Sequence, residues 1–87
     1  MEMKITPCAK WCANDKKELA RELNIHARNV HFEGNTLVAE FANESFIEMF
    51  EAFVPFACML KYDYRYEYAD KCGIIGNIYT KETRELL

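Results

Sequence analysis

The spacing of apolar and polar residues changes several times along this chain, and each change predicts a new structural element. Thr6 and Pro7 have the form of a helix start, since threonine can cap a first turn and proline is tolerated at the first helical position. Asp15 and Glu18 form a second, capping-box-like start. Apolar residues then recur at helical spacing, so residues 7–24 are predicted to form one bent helix or two.

The following segment has the alternating period of a β-hairpin. Apolar residues occupy every second position on both sides of Gly34 and Asn35, which is typical of strands joined by a two-residue turn. We therefore predict strands at residues 28–33 and 36–42.

A second helix is predicted after this hairpin. Asn43 or Ser45 can cap it, and Ser45 with Glu48 matches the capping box. Its apolar positions follow helical spacing and are expected to face the core: Phe46, Ile47, Phe50, Phe53 and Val54. Proline lacks the N–H that continues a helix, so Pro55 is predicted to end or kink it.

After Pro55 apolar and polar residues alternate as far as Tyr68, which predicts a long strand with one solvent-exposed face. Residues 70–73 are predicted to form a turn with Gly73 at its end, and residues 74–79 to return as the pairing strand. Thr80 is predicted to cap a closing helix at residues 81–87.

These elements predict one α+β domain over residues 1–87, in the order α-β-β-α-β-β-α. It would contain a four-stranded, mainly antiparallel sheet built from two hairpins, with helices packed on one face. One face of the long strand carries four tyrosines. We expect this face to lie beneath the helices, because the phenylalanines of the second helix must pack against an apolar surface. The alternative is an exposed recognition surface, and the residues concerned are Tyr62, Tyr64, Tyr66 and Tyr68.

Composition and charge narrow the possible functions. The 87 residues are 51% hydrophobic and 29% charged, which is enough apolar content for a compact fold. The net charge of −3 provides no basic excess to neutralise phosphates, so a protein partner is expected and direct nucleic-acid binding is not.

The charge is also unevenly distributed. Residues 29–60 contain five glutamates and no lysine or arginine. Glu44, Glu48 and Glu51 recur at helical spacing and so predict an acidic stripe on the second helix, with Glu40 nearby in sequence. Such stripes are often only solubilising, but this one predicts a docking surface for a basic partner, in a protein of the inhibitor or adaptor type. Proteins that handle nucleic acids are one class of partner with such a basic surface.

The compartment and the oligomeric state are also matters of expectation. The N-terminal residues lack the apolar run of a signal peptide, and no apolar run has membrane-spanning length, so we expect a cytoplasmic protein without membrane association. Homodimerisation is plausible through an exposed edge strand at residues 74–79.

A cysteine-based metal or redox protein is the first alternative. Cys8 and Cys12 would share one face of a helix, and Cys8 would lie near its N-terminus, where a thiol pKa falls. Cys58 and Cys72 are too scattered to complete the two tight pairs typical of structural zinc sites. We therefore expect free thiols and no cofactor.

A DNA-binding protein is the second alternative. Residues 18–30, with Leu19, Ala20, Leu23, Ile25 and Val30, resemble the Leu-Ala-x-x-Leu-(Gly)-(Ile/Val) pattern of a helix-turn-helix. The resemblance implies a second, recognition helix, but the segment reaches a predicted hairpin turn almost immediately.

An enzyme is the class with least support. The chain has no glycine-rich phosphate loop, and its acid–base residues do not converge in sequence. His26 and His31 are more simply surface or strand-edge residues than a catalytic pair. We therefore predict no catalytic residues and a function in binding.

Overall fold

The computed structural model describes residues 1–76, which form five strands and two helices. The elements are β1 (Glu2–Pro7), α1 (Ala13–His26), β2 (Arg28–Glu33), β3 (Thr36–Glu40), α2 (Glu44–Ala57), β4 (Tyr64–Tyr68) and β5 (Lys71–Ile75). The strands make one sheet in the order β2-β3-β1-β4-β5, and every neighbouring pair is antiparallel. The α+β class is confirmed, whereas the predicted four strands and their order are wrong.

The largest difference from the prediction is at the N-terminus, which forms the central strand of the sheet rather than the start of a helix. Met3 and Ile5 are fully buried in β1, and their registers with Ala39 on β3 and Tyr66 on β4 are fixed by pairing on both sides. Pro7 is therefore the last residue of a strand and does not begin a helix.

Helix α1 begins at Ala13, six residues after the first predicted start at Pro7 and two residues before the second at Asp15. Its N-cap is Cys12, whose Sγ accepts a hydrogen bond from the backbone N–H of Asp15 at 3.4 Å. Leu19 and Leu23 are its fully buried leucines, as the apolar spacing predicted. Its last residue is His26, two residues beyond the predicted end at Asn24.

The first predicted hairpin is confirmed. Strands β2 and β3 flank a turn in which Gly34 has φ +62°, a left-handed conformation that glycine adopts without steric cost. Strand β3 ends at Glu40, two residues before its predicted end. A bulge between Arg28 and His31 interrupts the β2 register, with Asn29 at φ 54°.

The first strand of the second hairpin is shorter than predicted. Helix α2 does not end at Pro55 but continues to Ala57, and Cys58 closes it by donating its N–H to the carbonyl of Val54 at 3.0 Å. The alternating pattern of apolar and polar residues after Pro55 therefore begins within α2. Only its last part, Tyr64–Tyr68, forms a strand, which is β4. The turn lies at Ala69 and Asp70, so Cys72 and Gly73 belong to β5.

Two other predictions fall partly or wholly outside the described residues. These are the strand at residues 74–79, of which Ile74 and Ile75 lie in β5, and the helix at residues 81–87 with its Thr80 cap. No helix within residues 1–76 combines the length and the apolar character needed to cross a membrane.

Both described helices pack on one face of the sheet, and the core lies between these two layers. Tyr64 is fully buried and Tyr68 is 7% exposed, while Tyr62 and Tyr66 pack at the margin of this core. The expectation that the tyrosine face lies under the helices is therefore confirmed. Alternate residues of the strands point to the opposite face, which the described helices leave uncovered.

A buried aspartate joins α1 to this sheet. The Asp15 carboxylate is fully buried and accepts hydrogen bonds from the N–H groups of Lys61 (2.9 Å) and Tyr62 (3.1 Å) and from the Tyr64 hydroxyl (2.5 Å). Burial raises the pKa of Asp15, but these hydrogen bonds, with one from Cys12, outweigh it and hold the pKa below its ordinary value. The carboxylate is thus charged at neutral pH and fixes the start of α1 to β4.

Candidate functional site

Helix α2 carries the candidate docking surface, and its orientation follows from its core contacts. Asn43 caps it by accepting the Ser45 N–H at 3.0 Å. Ile47, Phe50 and Val54 are fully buried and fix the face that meets the sheet. The remaining positions form two flanks, one beside β5 and one beside α1.

The acidic flank, Glu44, Glu48 and Glu51, lies on the β5 side. Glu44 accepts a hydrogen bond from the ammonium group of Lys71 on β5, Glu48 is exposed, and Glu51 is half-buried against Tyr66. The structure therefore brings together three of the four glutamates that the sequence predicted. The ion pair of Glu44 with Lys71 was not predictable, because the two residues lie 27 positions apart in sequence.

The carboxylates of this flank repel one another. Burial raises the pKa of Glu51, the Tyr66 hydroxyl partly offsets this by hydrogen bonding, and the nearby charges of Glu48 and Glu44 raise it further. Oε1 of Glu51 is also buried without a hydrogen-bond partner among residues 1–76. A cation brought to the flank would relieve this repulsion.

Glu40 lies apart from the other three. It is on β3, where Leu37 and Ala39 face the helices, so Glu40 points to the uncovered face of the sheet. Its carboxylate accepts a hydrogen bond from the Asn29 side chain at 2.7 Å and it is in register with Arg28 on β2.

The α1 side of α2 carries exposed apolar residues that the sequence analysis did not separate from the core. Four of them form a row at spacings of three and four: Phe46, Met49, Phe53 and Phe56. Phe46 and Phe53 were predicted to be core, yet both are more than a third exposed. The sequence contained one signal for this exposed row: α2 has more apolar positions than a single buried stripe can hold.

The uncovered face of the sheet has a different character. It presents charged residues of both signs, including Glu2, Lys4, Arg65 and Glu67. Aromatic residues of the described strands lie on the helix-covered side. Phe32, for example, packs edge-to-face on Trp11 with ring centroids 5.4 Å apart. Within residues 1–76 this face therefore lacks the stacking platform of single-strand nucleic-acid binders.

The described cysteines are all free thiols, in different settings. Cys8 follows β1, Cys12 caps α1, and Cys72 is exposed on β5, so the predicted pair on one helix face does not form. Cys58 is fully buried, and burial together with nearby Glu22 and Glu18 raises the pKa of its thiol to about 11. Residues 1–76 contain no group of three potential metal ligands.

The segment that resembles a helix-turn-helix has one helix rather than two. Residues 18–26 form the end of α1, and Arg28 already begins β2. Asn29 and Val30 therefore belong to a sheet edge, and no recognition helix follows within this segment.

No protein-family model, curated protein or solved structure matches this chain. The geometry and charge of α2 are therefore the observations that bear on function.

Proposed function

We propose that this chain is a non-catalytic protein-binding domain of the inhibitor or adaptor type, and that it docks on a basic partner surface through the acidic flank of α2. The observation that carries this proposal is the arrangement of Glu44, Glu48 and Glu51 on one side of a well-anchored helix, within a segment that has no lysine or arginine from residue 29 to residue 60. Opposite charge on a partner would steer association to this side.

The contacts of the flank favour docking in a defined geometry. Glu44 is held toward β5 by Lys71 and Glu51 is held by Tyr66, so two of the three carboxylates are already positioned. Glu48, between them, is exposed and available to a cationic group. Binding to positioned groups loses less conformational entropy than binding to freely rotating ones.

Repulsion among the carboxylates supplies part of the driving force. Because Glu48 and Glu44 raise the pKa of Glu51, the unbound flank holds negative charge at an electrostatic cost. An arginine or lysine of the partner reduces that cost, and the effect weakens as salt screens the charges.

The character of the partner follows from the rest of the molecule. The chain has a net charge of −3, and the uncovered face of the described sheet has no aromatic platform. It is therefore poorly suited to bind the phosphate backbone of a nucleic acid directly. We propose that its partner is a protein with a basic surface, a class that includes proteins that handle nucleic acids.

The test compares two triple variants that change the net charge equally. One replaces the flank (Glu44→Gln, Glu48→Gln, Glu51→Gln), and the matched control replaces three glutamates on the strands away from α2 (Glu2→Gln, Glu33→Gln, Glu67→Gln). Titration of the basic partner recovered from lysate should show affinity lowered at least about tenfold by the flank variant and much less by the control. Equal affinities for both variants would refute docking through α2.

A further inference from the structure

The α1 side of α2 carries an apolar patch that the acidic-flank proposal does not use. It comprises residues of α2, the residue after its C-cap and one residue of α1, with these exposed fractions: Phe46 41%, Met49 47%, Phe53 51%, Phe56 74%, Met59 66% and Ile25 69%. We propose that this apolar patch is the interface through which two copies of the chain associate.

The α2 residues of the patch have the spacing of a helix–helix seam. Phe46, Met49, Phe53 and Phe56 follow intervals of three, four and three residues, as do the a and d positions of paired helices. Ser45 and Ala52 are exposed between this row and the acidic flank, and their small size allows a neighbouring helix to approach closely.

Two contacts between the helices bring the C-terminal half of α1 beside this row. The guanidinium group of Arg21 donates to the carbonyl oxygen of Ala57 at 3.1 Å, and the His26 ring stacks on Phe53 with centroids 5.9 Å apart. Ile25 lies one turn beyond Arg21 and next to His26, on the side of α1 that faces α2. Helical spacing therefore places Ile25 at the edge of the α2 row.

The area of the patch matches the needs of a dimer. If a large apolar side chain exposes about 200 Å² when fully accessible, the six exposed fractions amount to roughly 700 Å². The largest apolar patch on a typical monomer covers about 300–600 Å², and one partner in a standard interface contributes about 800 Å². A second copy presents an equal area, and the surrounding backbone and small residues add to it.

A second copy also fits the chemistry of the patch. All six side chains are uncharged, so pairing two patches places no like charges at the centre, and the nearby Arg21 already has Glu18 as an ion-pair partner within its own copy. A twofold interface uses the same patch on both copies, which is the commonest symmetry of soluble oligomers. Of the edge strand expected from the sequence, residues 74–79, the described part comprises Ile74 and Ile75 of β5, a strand that also contains Lys71 and Gly73.

The test is sedimentation velocity of the purified chain alone, from low micromolar concentration to about 1 mM. We expect the mass to rise from 10.2 kDa toward twice that value with increasing concentration. The double variant Met49→Glu with Phe56→Glu should weaken dimerisation at least a hundredfold, because it buries like charges in the interface. Ile74→Glu, on β5, is the matched control and should dimerise like the unmodified chain.

Three results would overturn the proposal: a monomer throughout this range, a double variant that still dimerises normally, or a dimer abolished by Ile74→Glu. Far-UV circular dichroism establishes that each variant is folded. If the double variant does not fold, hydrogen exchange on the unmodified chain gives a second readout, since protection of residues 44–59 should rise with concentration. Unchanged protection would contradict the interface.

Salt separates this proposal from docking of a basic partner. The apolar dimer should persist or strengthen at high salt, whereas docking on the acidic flank should weaken. A monomer whose binding to a basic partner is reduced by the Met49→Glu and Phe56→Glu variant would show that a different protein occupies the patch, and would overturn the dimer while leaving partner binding intact.

Discussion

Removing the Asp15 carboxylate should destabilise the fold more than any other single change at a charged residue among those described. In Asp15→Ala, the N–H groups of Lys61 and Tyr62 and the hydroxyl of Tyr64 lose their acceptor. A hydrogen bond to a charged group contributes about 1.5–3 kcal/mol, but part of the loss is recovered where water reaches the freed donors, so we expect about 3–5 kcal/mol. That is a large share of the roughly 4–13 kcal/mol expected for a domain of this size.

Urea unfolding followed by the fluorescence of Trp11 measures this loss. Trp11 is the single tryptophan, and its ring stacks on Tyr64 at 4.5 Å, so its emission reports directly on the region that Asp15 organises. Tyr64→Phe removes one of the three donors and should cost about 1–1.5 kcal/mol. Added to Asp15→Ala, it should cost much less than it does alone, because the interaction is already lost.

The dependence of stability on pH gives an independent readout. The pKa of Asp15 is lower in the folded chain than in the unfolded chain, so its contribution is fully present above about pH 4 and is lost as pH falls through the folded-state pKa. The unmodified chain should therefore lose its advantage over Asp15→Asn in acid. A difference below about 1 kcal/mol at pH 7, or one that does not change in acid, would refute the anchoring role.

Two further predictions concern β5 and the core. A Cβ at Gly73 would clash with the Tyr66 hydroxyl and ring, so Gly73→Ala should lower the free energy of unfolding by about 1–3 kcal/mol in urea titration. A cost that Tyr66→Leu does not relieve would contradict the clash. Cys58 is buried and its thiol pKa is raised to about 11, whereas Cys72 is exposed. Iodoacetamide labelling of the native chain, followed by mass spectrometry, should therefore modify Cys72 before Cys58. Equal labelling rates for these two residues would contradict the packing of Cys58.

The sequence predicted the elements whose signals are local. The hairpin of β2 and β3 follows from alternation around Gly34, and the start of α2 follows from its Asn43 cap. Strand β1 was missed because its two buried residues, Met3 and Ile5, make too short a pattern beside the helix-start signal of Thr6. Its stability comes from pairing with β3 and β4, which are distant in sequence.

The extent of α2 was also underestimated for a physical reason. Pro55 removes a single N–H donor near the end of the helix, while buried Val54 and the bond from the Cys58 N–H to the Val54 carbonyl hold the last turn. Spacing alone predicted the acidic flank. It did not reveal that Lys71 and Tyr66 would hold that flank in place, since those residues arrive from β5 and β4.

Native mass spectrometry of the chain recovered by affinity from cell lysate, at about 50 mM and about 500 mM salt, tests the central claim most directly. Docking through Glu44, Glu48 and Glu51 predicts a stoichiometric complex with a basic protein at low salt that dissociates at high salt. Recovery of only the chain itself at both concentrations, or of a partner retained equally at both, would contradict the account.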